Sequence, residues 1–289
     1  MPLKREHKMA LYAFNGTWNK DDPEESGPAG KDSNVVKFRE AYTAKVYYTD
    51  GVGTRLGPIG KILGGLTGAG SRTRVREALE SLNENLNRGD RVIDVVGFSR
   101  GAALALHFVN EVGHYFNHAP VRFLGLFDTV ASFGKPGNDL DIGWKLTLPG
   151  NVQKCFHAMA LDERRGNFPV VRIKDPSGGN PPGARLQEVW FRGVHGDIGG
   201  GENLGLTSIA ISWMLEKALE CGLPIDPATL EAHRKLWNPS APIGHNVDPV
   251  PDPFRTVFPS DKIHPTVRFR PPQGKLAFNN PPQLKPTDV

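Results

Sequence analysis

The sequence predicts an α/β fold, a three-layer sandwich whose central sheet is mainly parallel. Short apolar runs that fit buried strands alternate with segments of helical apolar spacing, as expected when parallel strands are joined by helices. One of these runs, Val92–Val96, is rich in β-branched residues, which is typical of a central strand buried on both faces. The chain has 289 residues, of which 38% are hydrophobic, so it is long enough to bury one large core.

The length suits one sizeable enzyme domain, and no internal repeat is visible, so we expect residues 1–289 to form a single domain. From about residue 237 onward proline recurs every few positions. Proline interrupts both helices and sheets. We therefore predict that residues 237–289 wrap around the domain as a mostly irregular segment.

The first part of the chain supplies two predicted strands, Met9–Phe14 and Lys45–Thr49, with a helix capped by Ser33 between them. The stretch 51–70 is rich in glycine, which predicts a loop, either a mobile one near an acyl pocket or a plain surface loop. It lacks the lysine-containing and dinucleotide-binding glycine motifs, so we do not expect it to hold phosphate. A helix follows and ends near Gly89. Its apolar stripe consists of Val75, Leu79, Leu82 and Leu86.

The middle of the chain continues the alternation of strands and helices. Strands are predicted over Arg91–Gly97, Val121–Phe127, Val170–Ile173 and Leu186–Phe191. Helices are predicted over Gly101–Phe116, His157–Arg165 and about Ser208–Glu220, the last of which ends at Gly222 with a proline just beyond. The alternation places polar residues directly after several predicted strands.

The most informative of these polar residues is Ser99, in Gly97-Phe98-Ser99-Arg100-Gly101. A Gly-x-Ser-x-Gly motif between a buried strand and a helix is the nucleophile-elbow pattern, in which glycines make room for a sharp turn that exposes the serine hydroxyl. The alternative is a tight turn with an idle serine. The flanking strand and helix favour a nucleophile, and hence an α/β-hydrolase-like sandwich.

Serine becomes a strong nucleophile when a histidine accepts its proton, and this fold supplies the acid and the base from later strand ends. Asp128 follows the strand after the elbow helix, and His195 follows the strand Leu186–Phe191. We therefore predict Ser99, Asp128 and His195 as a catalytic triad. His264, in the C-terminal segment, is an alternative base, and Asp197 is an alternative acid.

Seven further histidines complete the nine in the chain. Four of them, His107, His114, His118 and His157, lie in or beside predicted helices, where a packed or solvated side chain is the usual role. His195 and Asp197 together are compatible with a metal-ligand pair. No third and fourth ligand stand at a suggestive spacing, so we expect no metal and no cofactor.

Ester cleavage also requires hydrogen-bond donors for the oxyanion, and one is usually the backbone N–H after the nucleophile. In this chain that donor is Arg100. A second donor is predicted in the segment after the first strand, at Gly16 or Thr17, because glycine lets the backbone approach a substrate closely. An ordinary turn anchored by Trp18 is the alternative there.

The composition limits the partners and the location of the protein. Lys and Arg total 35 against 31 Asp and Glu, a net charge of +4 without long basic runs, so we expect no nucleic-acid partner. A weakly basic surface is compatible with transient contact with a membrane surface. The N-terminal apolar run is too short for a signal peptide or a transmembrane segment. We expect a cytoplasmic protein or one exported without a cleaved signal peptide.

Several blocks in the same order resemble one family, the bacterial and fungal predicted α/β hydrolases that include the type VI secretion phospholipase effectors of the first lipase class. The blocks are Phe14–Asn19, Tyr48–Thr54, Gly97–Ala102, Phe127–Val130, His157–Glu163, Val189–Gly201 and Ile263–Val267. The resemblance implies a Ser-Asp-His hydrolase of carboxylic esters, with phospholipase A activity in secreted members. The family usually has Asp at the position of Asn15, and its larger effectors carry a long membrane-docking region.

These observations predict a serine esterase or lipase, including phospholipase A, that forms an acyl-enzyme and acts on an ester or lipid substrate. Two alternatives remain from other classes. One is a non-catalytic binding module with this fold, and the other is an amide or thioester hydrolase, since the acyl-transfer machinery is shared. The resemblance leaves room for an immunity partner, for which the sequence carries no readable motif.

Overall fold

The computed structural model describes residues 9–16, 24, 26–50, 68–131, 144–177, 184–201, 203–244, 252–269, 278–281 and 284. Most of the glycine-rich stretch, residues 51–67, lies outside these ranges, as does Thr17. Within the described residues, the last part of the predicted loop, Gly68–Gly70, forms the first turn of a helix.

Within the described ranges, seven parallel strands form one sheet in the order β2-β1-β3-β4-β5-β6-β7. The strands are β1 (Met9–Phe14), β2 (Lys45–Thr49), β3 (Val92–Phe98), β4 (Val121–Phe127), β5 (Val152–Ala160), β6 (Leu186–Phe191) and β7 (Lys262–Ile263). Because neighbouring strands run in the same direction, their carboxyl ends share one edge of the sheet. The predicted α/β class with a parallel central sheet is confirmed.

The described helices are α1 (Asn34–Ala41), α2 (Gly68–Asn87), α3 (Arg100–Tyr115), α4 (His195–Gly199), α5 (Leu204–Glu220), α6 (Pro227–Lys235) and a 3₁₀ helix (Pro265–Arg268). Ser33 caps α1 as predicted, and its hydroxyl accepts the N–H of Val36 at 3.4 Å. None of the described helices is both long and apolar enough to cross a membrane.

Helices cover both faces of the sheet, and each face has its own apolar core. One core contains residues of α1 and α5, and the other contains residues of α2 and α3. Successive side chains of β3 alternate between them: Val96 and Phe98 enter the first, and Ile93 and Val95 enter the second. Each such buried side chain contributes roughly 1.5–3 kcal/mol of apolar transfer free energy.

Two predicted elements are wrong. The helix predicted over His157–Arg165 is absent: His157–Ala160 form the end of strand β5, which pairs with β4 on one side and β6 on the other, and residues 161–165 are irregular. Cys155–Ala160 are all buried, so this strand shows no alternation that would distinguish it from a buried helix. His157 therefore lies within a central strand and not beside a helix.

The segment Val170–Ile173, predicted as a strand, is irregular and belongs to none of the described strands, and its Ile173 N–H donates to the Glu188 carboxylate at 3.0 Å. Its backbone still makes one bond near the strand ends, from the Val171 N–H to the Thr129 carbonyl at 2.9 Å. The sequence analysis also did not predict α4 or α6. Asp226 caps α6 through the N–H groups of Ala228 and Thr229, both at 3.2 Å.

Candidate active site

Three polar residues lie at the carboxyl-end edge of the sheet, each directly after a strand. Ser99 follows β3, Asp128 follows β4, and His195 begins α4 shortly after β6. Their side chains are buried or nearly so, with Ser99 and His195 each 6% exposed and Asp128 fully buried. The shared direction of the strands thus brings together residues that are far apart in the sequence.

Ser99 has an unusual backbone conformation, with φ 57° and ψ −127°. A non-glycine residue at positive φ costs on the order of 1–3 kcal/mol, and such strain concentrates at functional sites. The surrounding chain imposes it: the Ser99 N–H donates to the Phe127 carbonyl at 3.0 Å. The glycines on either side permit the turn, since a Cβ at Gly97 would lie 2.6 Å from the Gly101 carbonyl oxygen.

His195 lies between the serine and the aspartate. Its Nε2 is 2.9 Å from Ser99 Oγ, and its Nδ1 is 2.6 Å from Asp128 Oδ2. A carboxylate accepts but does not donate, so Asp128 selects the tautomer with a proton on Nδ1. Nε2 is then left as the acceptor for the Ser99 hydroxyl, which is the arrangement that a general base requires.

Two aromatic rings pack on the imidazole of His195, and a carboxylate binds its backbone. The ring of Phe98 is 4.7 Å from the imidazole centroid, and the ring of Phe168 is 5.0 Å away in an edge-on arrangement. Glu163 Oε2 accepts the backbone N–H of His195 at 3.1 Å. These contacts leave the ring little freedom to turn away from Ser99.

Asp128 has an unusual backbone conformation, and neighbouring residues bind its carboxylate. It lies at φ 37°, and its Oδ1 accepts the N–H of Ala160 at 2.8 Å. Burial opposes its ionisation, but the charge of Arg255 and the hydrogen bond to His195 outweigh burial and hold the pKa of this carboxyl well below its usual value. Asp128 is therefore ionised throughout the neutral range.

Arg255 is the principal residue that the sequence analysis missed. Its two terminal nitrogens contact both oxygens of Asp128, Nη1 to Oδ1 at 2.6 Å and Nη2 to Oδ2 at 3.1 Å. It lies in the proline-rich segment, where no periodicity or motif indicates which side chain turns inward. The contact spans 127 positions, so no local signal in the sequence would have found it.

The alternative base, His264, lies elsewhere. It precedes the 3₁₀ helix, stacks on Phe191 at 4.7 Å, and places its Nδ1 2.7 Å from the Thr266 hydroxyl. Burial lowers its pKa to about 4. The structure therefore brings His195, and not His264, to Ser99.

The alternative acid, Asp197, binds its own loop. Its Oδ2 accepts the N–H groups of Val194 at 2.9 Å and Gly244 at 3.0 Å, and its Oδ1 accepts an amide N–H of Asn203 at 2.7 Å. Burial raises its pKa. Within the described part of the chain, no group of three or more His, Cys, Asp or Glu residues is arranged to hold a metal ion.

Of the predicted oxyanion donors, the structure describes Arg100 and Gly16. Arg100 is the first residue of α3, and the first four N–H groups of a helix have no acceptor within it. The Gly16 N–H donates at 2.8 Å to Oδ1 of Asn15, which also accepts the Ser33 hydroxyl at 2.7 Å. Thr17 lies outside the described residues, so the second donor stays a prediction.

The chain matches a family model described as the Tle1-like phospholipase effector catalytic domain of the type VI secretion system, over residues 8–114 and 108–217. Together these segments cover more than half of the 289 residues. No curated protein shows significant similarity to the chain.

The solved structures that resemble the protein include the following three. One is an uncharacterized protein from Pseudomonas aeruginosa, with 22% identity, a TM-score of 0.54, and coverage of 78% of this chain and 48% of that one. Another is the Tle1 effector bound to the VgrG spike of the type 6 secretion system, with 26% identity, a TM-score of 0.48, and coverage of 68% of this chain and 51% of that one. A third, from Xanthomonas campestris pv. campestris, is described as a hydrolase of the alpha/beta superfamily. It has 16% identity and a TM-score of 0.36, with coverage of 79% of this chain and 96% of that one.

The chain spans about half the length of the first two of these structures. The parallel sheet, the residues at its carboxyl-end edge and the extent of the family match are consistent with one another. The chain therefore belongs to the family of Tle1-like phospholipase effector catalytic domains.

Proposed function

We propose that the protein is a serine hydrolase that cleaves carboxylic esters of lipids through Ser99, His195 and Asp128. The observation that carries the proposal is the position of His195, whose two ring nitrogens lie 2.9 Å from Ser99 Oγ and 2.6 Å from Asp128 Oδ2. A buried serine, imidazole and carboxylate in this chain of hydrogen bonds suit nucleophilic acyl transfer. The strained turn at Ser99 supports the same role.

In the first half-reaction, Ser99 Oγ attacks the ester carbonyl carbon while its proton passes to His195 Nε2. The tetrahedral intermediate collapses, the acyl–oxygen bond of the ester breaks, and His195 returns the proton to the departing alcohol. In the second half-reaction, His195 deprotonates a water that attacks the acyl-Ser99 ester. The carboxylic acid leaves, and the proton returns to Ser99.

The other residues around the site act on the charges that develop during these steps. Asp128 keeps the Nδ1 proton of His195 in place and stabilises the imidazolium that forms when Ser99 is deprotonated. The Arg100 N–H, at the start of α3, is the proposed donor to the oxyanion, aided by the positive end of the helix. Gly16 or Thr17 is the proposed second donor. In the case of Gly16, its N–H exchanges the Asn15 side-chain oxygen for the oxyanion when substrate binds.

The family description supports a phospholipid as the substrate class. We propose phospholipase A activity, in which the acyl chain is released from the glycerol backbone as a fatty acid. As a member of an effector family, the protein is proposed to act after export by a secretion machine that uses no cleaved signal peptide. Both proposals concern the whole protein and go beyond the geometry of the triad.

A fluorophosphonate probe tests the nucleophile directly, because it forms a covalent bond with an activated serine. We expect the folded wild-type protein to be labelled and Ser99→Ala to be unlabelled. His195→Ala and Asp128→Ala are expected to slow labelling strongly, and His264→Ala is the matched control that retains it. Labelling that persists in Ser99→Ala would contradict the proposal.

A substrate panel tests the class of ester. Short p-nitrophenyl esters, triglyceride emulsions and phosphatidylcholine or phosphatidylglycerol vesicles are incubated with wild type and with Ser99→Ala, and released fatty acid is measured. We expect serine-dependent release from vesicles. Release from short esters alone would contradict the phospholipase assignment but not the triad. No turnover and no labelling by folded protein would instead favour a non-catalytic binding module.

A further inference from the structure

Arg255 binds both oxygens of the proposed catalytic aspartate and two backbone carbonyls near it. Besides the two bonds to Asp128, its Nη1 donates to the Ala160 carbonyl at 2.9 Å and its Nη2 to the Phe168 carbonyl at 2.7 Å. Its side chain is only 8% exposed. A guanidinium bound end-on to a carboxylate, through both terminal nitrogens, fixes both the position and the orientation of the carboxylate.

Residues outside the triad hold Arg255 in place. The carbonyl of Arg255 accepts an amide N–H of Asn279 at 2.9 Å. Three positions earlier, Asp252 accepts the Gly166 N–H at 2.6 Å through its carboxylate and the Arg164 Nε–H at 2.7 Å through its carbonyl. The segment that carries Arg255 is thus bound to the loop after β5 without the contact to Asp128.

A fixed cation on Asp128 has an electrostatic consequence for His195. In a serine hydrolase the aspartate stabilises the protonated imidazole through its negative charge. Because the same carboxylate oxygen, Oδ2, faces both Arg255 and His195, the guanidinium offsets part of this attraction. The carboxylate therefore stabilises a positive charge on the imidazole less than a lone carboxylate would.

From this geometry we infer that Arg255 is a positioning residue that fixes Asp128 and extends the activity of the site to lower pH. The inference rests on the proposed function, because it assigns Arg255 a role in the same reaction. A histidine must be neutral to accept the Ser99 proton. A cation that disfavours its protonated form keeps His195 competent further into the acid range.

Two acidic side chains near His195 are each paired with an arginine other than Arg255. Glu163, which accepts the His195 N–H, is bound by Arg165 at 2.8 Å. Asp162, in the same loop, is bound by Arg192 at 2.7 Å. Among the described residues, the surrounding elements also carry Asp197 on α4, which binds the Val194 N–H and Asn203, and Arg100 on α3. Arg255 is the cation that contacts the carboxylate hydrogen-bonded to the imidazole.

The test compares the pH dependence of kcat/KM for wild type and three variants, with a short p-nitrophenyl ester as the probe. For Arg255→Gln, which removes the charge, we expect the acid limb to move to higher pH by about one unit, a tenfold change in proton affinity. Arg255→Lys keeps the charge and is expected to keep the acid limb near its wild-type position. Arg164→Gln loosens the same segment without removing the cation on Asp128, and should also leave the limb in place.

A second measurement does not depend on turnover. Histidine labelled with ¹³C at Cε1 is titrated by NMR in wild type and in Arg255→Gln, and the His195 signal is identified by its loss in His195→Gln. We expect the protonation midpoint of His195 to rise by about one pH unit in Arg255→Gln and to stay near its wild-type value in Arg255→Lys. An unchanged midpoint in Arg255→Gln, with the protein folded, overturns the inference. A raised midpoint in a protein that hydrolyses no ester would refute the proposed function and leave the electrostatic role of Arg255 intact.

Discussion

A Cβ atom on Gly101 would lie 2.2 Å from the carbonyl oxygen of Phe14. It would also lie 2.4 Å from the carbonyl oxygen of Asn15. Both obstacles are backbone atoms at the end of β1, so neither can move aside by changing a rotamer. The first turn of α3 therefore packs directly on the chain leaving β1, and this contact fixes the end of the turn that carries Ser99.

Gly101→Ala is accordingly expected to destabilise the protein by about 3 kcal/mol or more, because the clash forces the backbone of α3 or β1 to shift. Urea denaturation followed by circular dichroism measures the change in the free energy of unfolding. Gly150→Ala is the matched control, since a Cβ there meets nothing within 4 Å. Equal effects of the two substitutions would show that the close approach has no energetic weight.

The two candidate histidines are expected to respond differently to substitution. His195→Ala should lower kcat for ester hydrolysis by on the order of 10⁴-fold or more, because Ser99 loses its proton acceptor. His264→Ala should leave kcat within about threefold and lower stability by about 1–3 kcal/mol, because it removes a ring packed on Phe191. Steady-state kinetics and urea denaturation of both variants measure the two effects. A large loss of kcat in a fully folded His264→Ala variant would show that His264, and not His195, is the base.

Burial of His264 also predicts a pH dependence of stability. Its folded pKa of about 4 lies below its ordinary value of 6.5, so the unfolded chain binds more protons between these values. Stability is therefore lost as the pH falls through that window. In His264→Phe this contribution is absent, and we expect the loss of stability between pH 7 and pH 4.5 to be smaller than in wild type by about 1–3 kcal/mol.

The measurement is the free energy of unfolding by urea at both pH values for wild type and His264→Phe. Other titrating groups contribute equally to the two proteins, so their effects cancel in the comparison. His114→Phe, at an exposed position, is the control and should retain the wild-type dependence. An identical dependence in wild type and His264→Phe would contradict the prediction.

Asn15 occupies a position where a carboxylate fits as well as an amide. Its Oδ1 accepts from Ser33 and Gly16, and its Nδ2 donates to the Tyr48 hydroxyl at 2.9 Å. In Asn15→Asp the Tyr48 hydroxyl can turn to donate, so a carboxylate would receive three hydrogen bonds. We expect Asn15→Asp to keep stability within about 1 kcal/mol and kcat within about threefold of wild type.

Asn15→Ala leaves the buried Ser33 hydroxyl and the Gly16 N–H without this acceptor, and should destabilise the protein by about 1–3 kcal/mol. Urea denaturation and ester hydrolysis of both variants provide the comparison. A penalty for Asn15→Asp as large as that for Asn15→Ala would mean that the amide itself is required.

Much of the sheet was predictable because its strands are buried on both faces. Val92–Val96 and Val121–Phe127 carry apolar residues at nearly every position, and this pattern reflects the two cores that they separate. The same property caused the error at His157–Arg165. A continuous buried run has no period, so only pairing with β4 and β6 shows that it is a strand.

By itself, the sequence determined the fold class and the placement of Ser99, Asp128 and His195 after three different strands, because parallel strands bring their carboxyl ends to one edge. Only the tertiary structure decided which histidine reaches Ser99 and that Arg255 binds Asp128. The positions of His264 and Arg255 depend on the path of irregular, proline-rich chain. Such chain has neither a hydrophobic period nor a local hydrogen-bond pattern, so its inward-facing side chains are chosen by long-range packing.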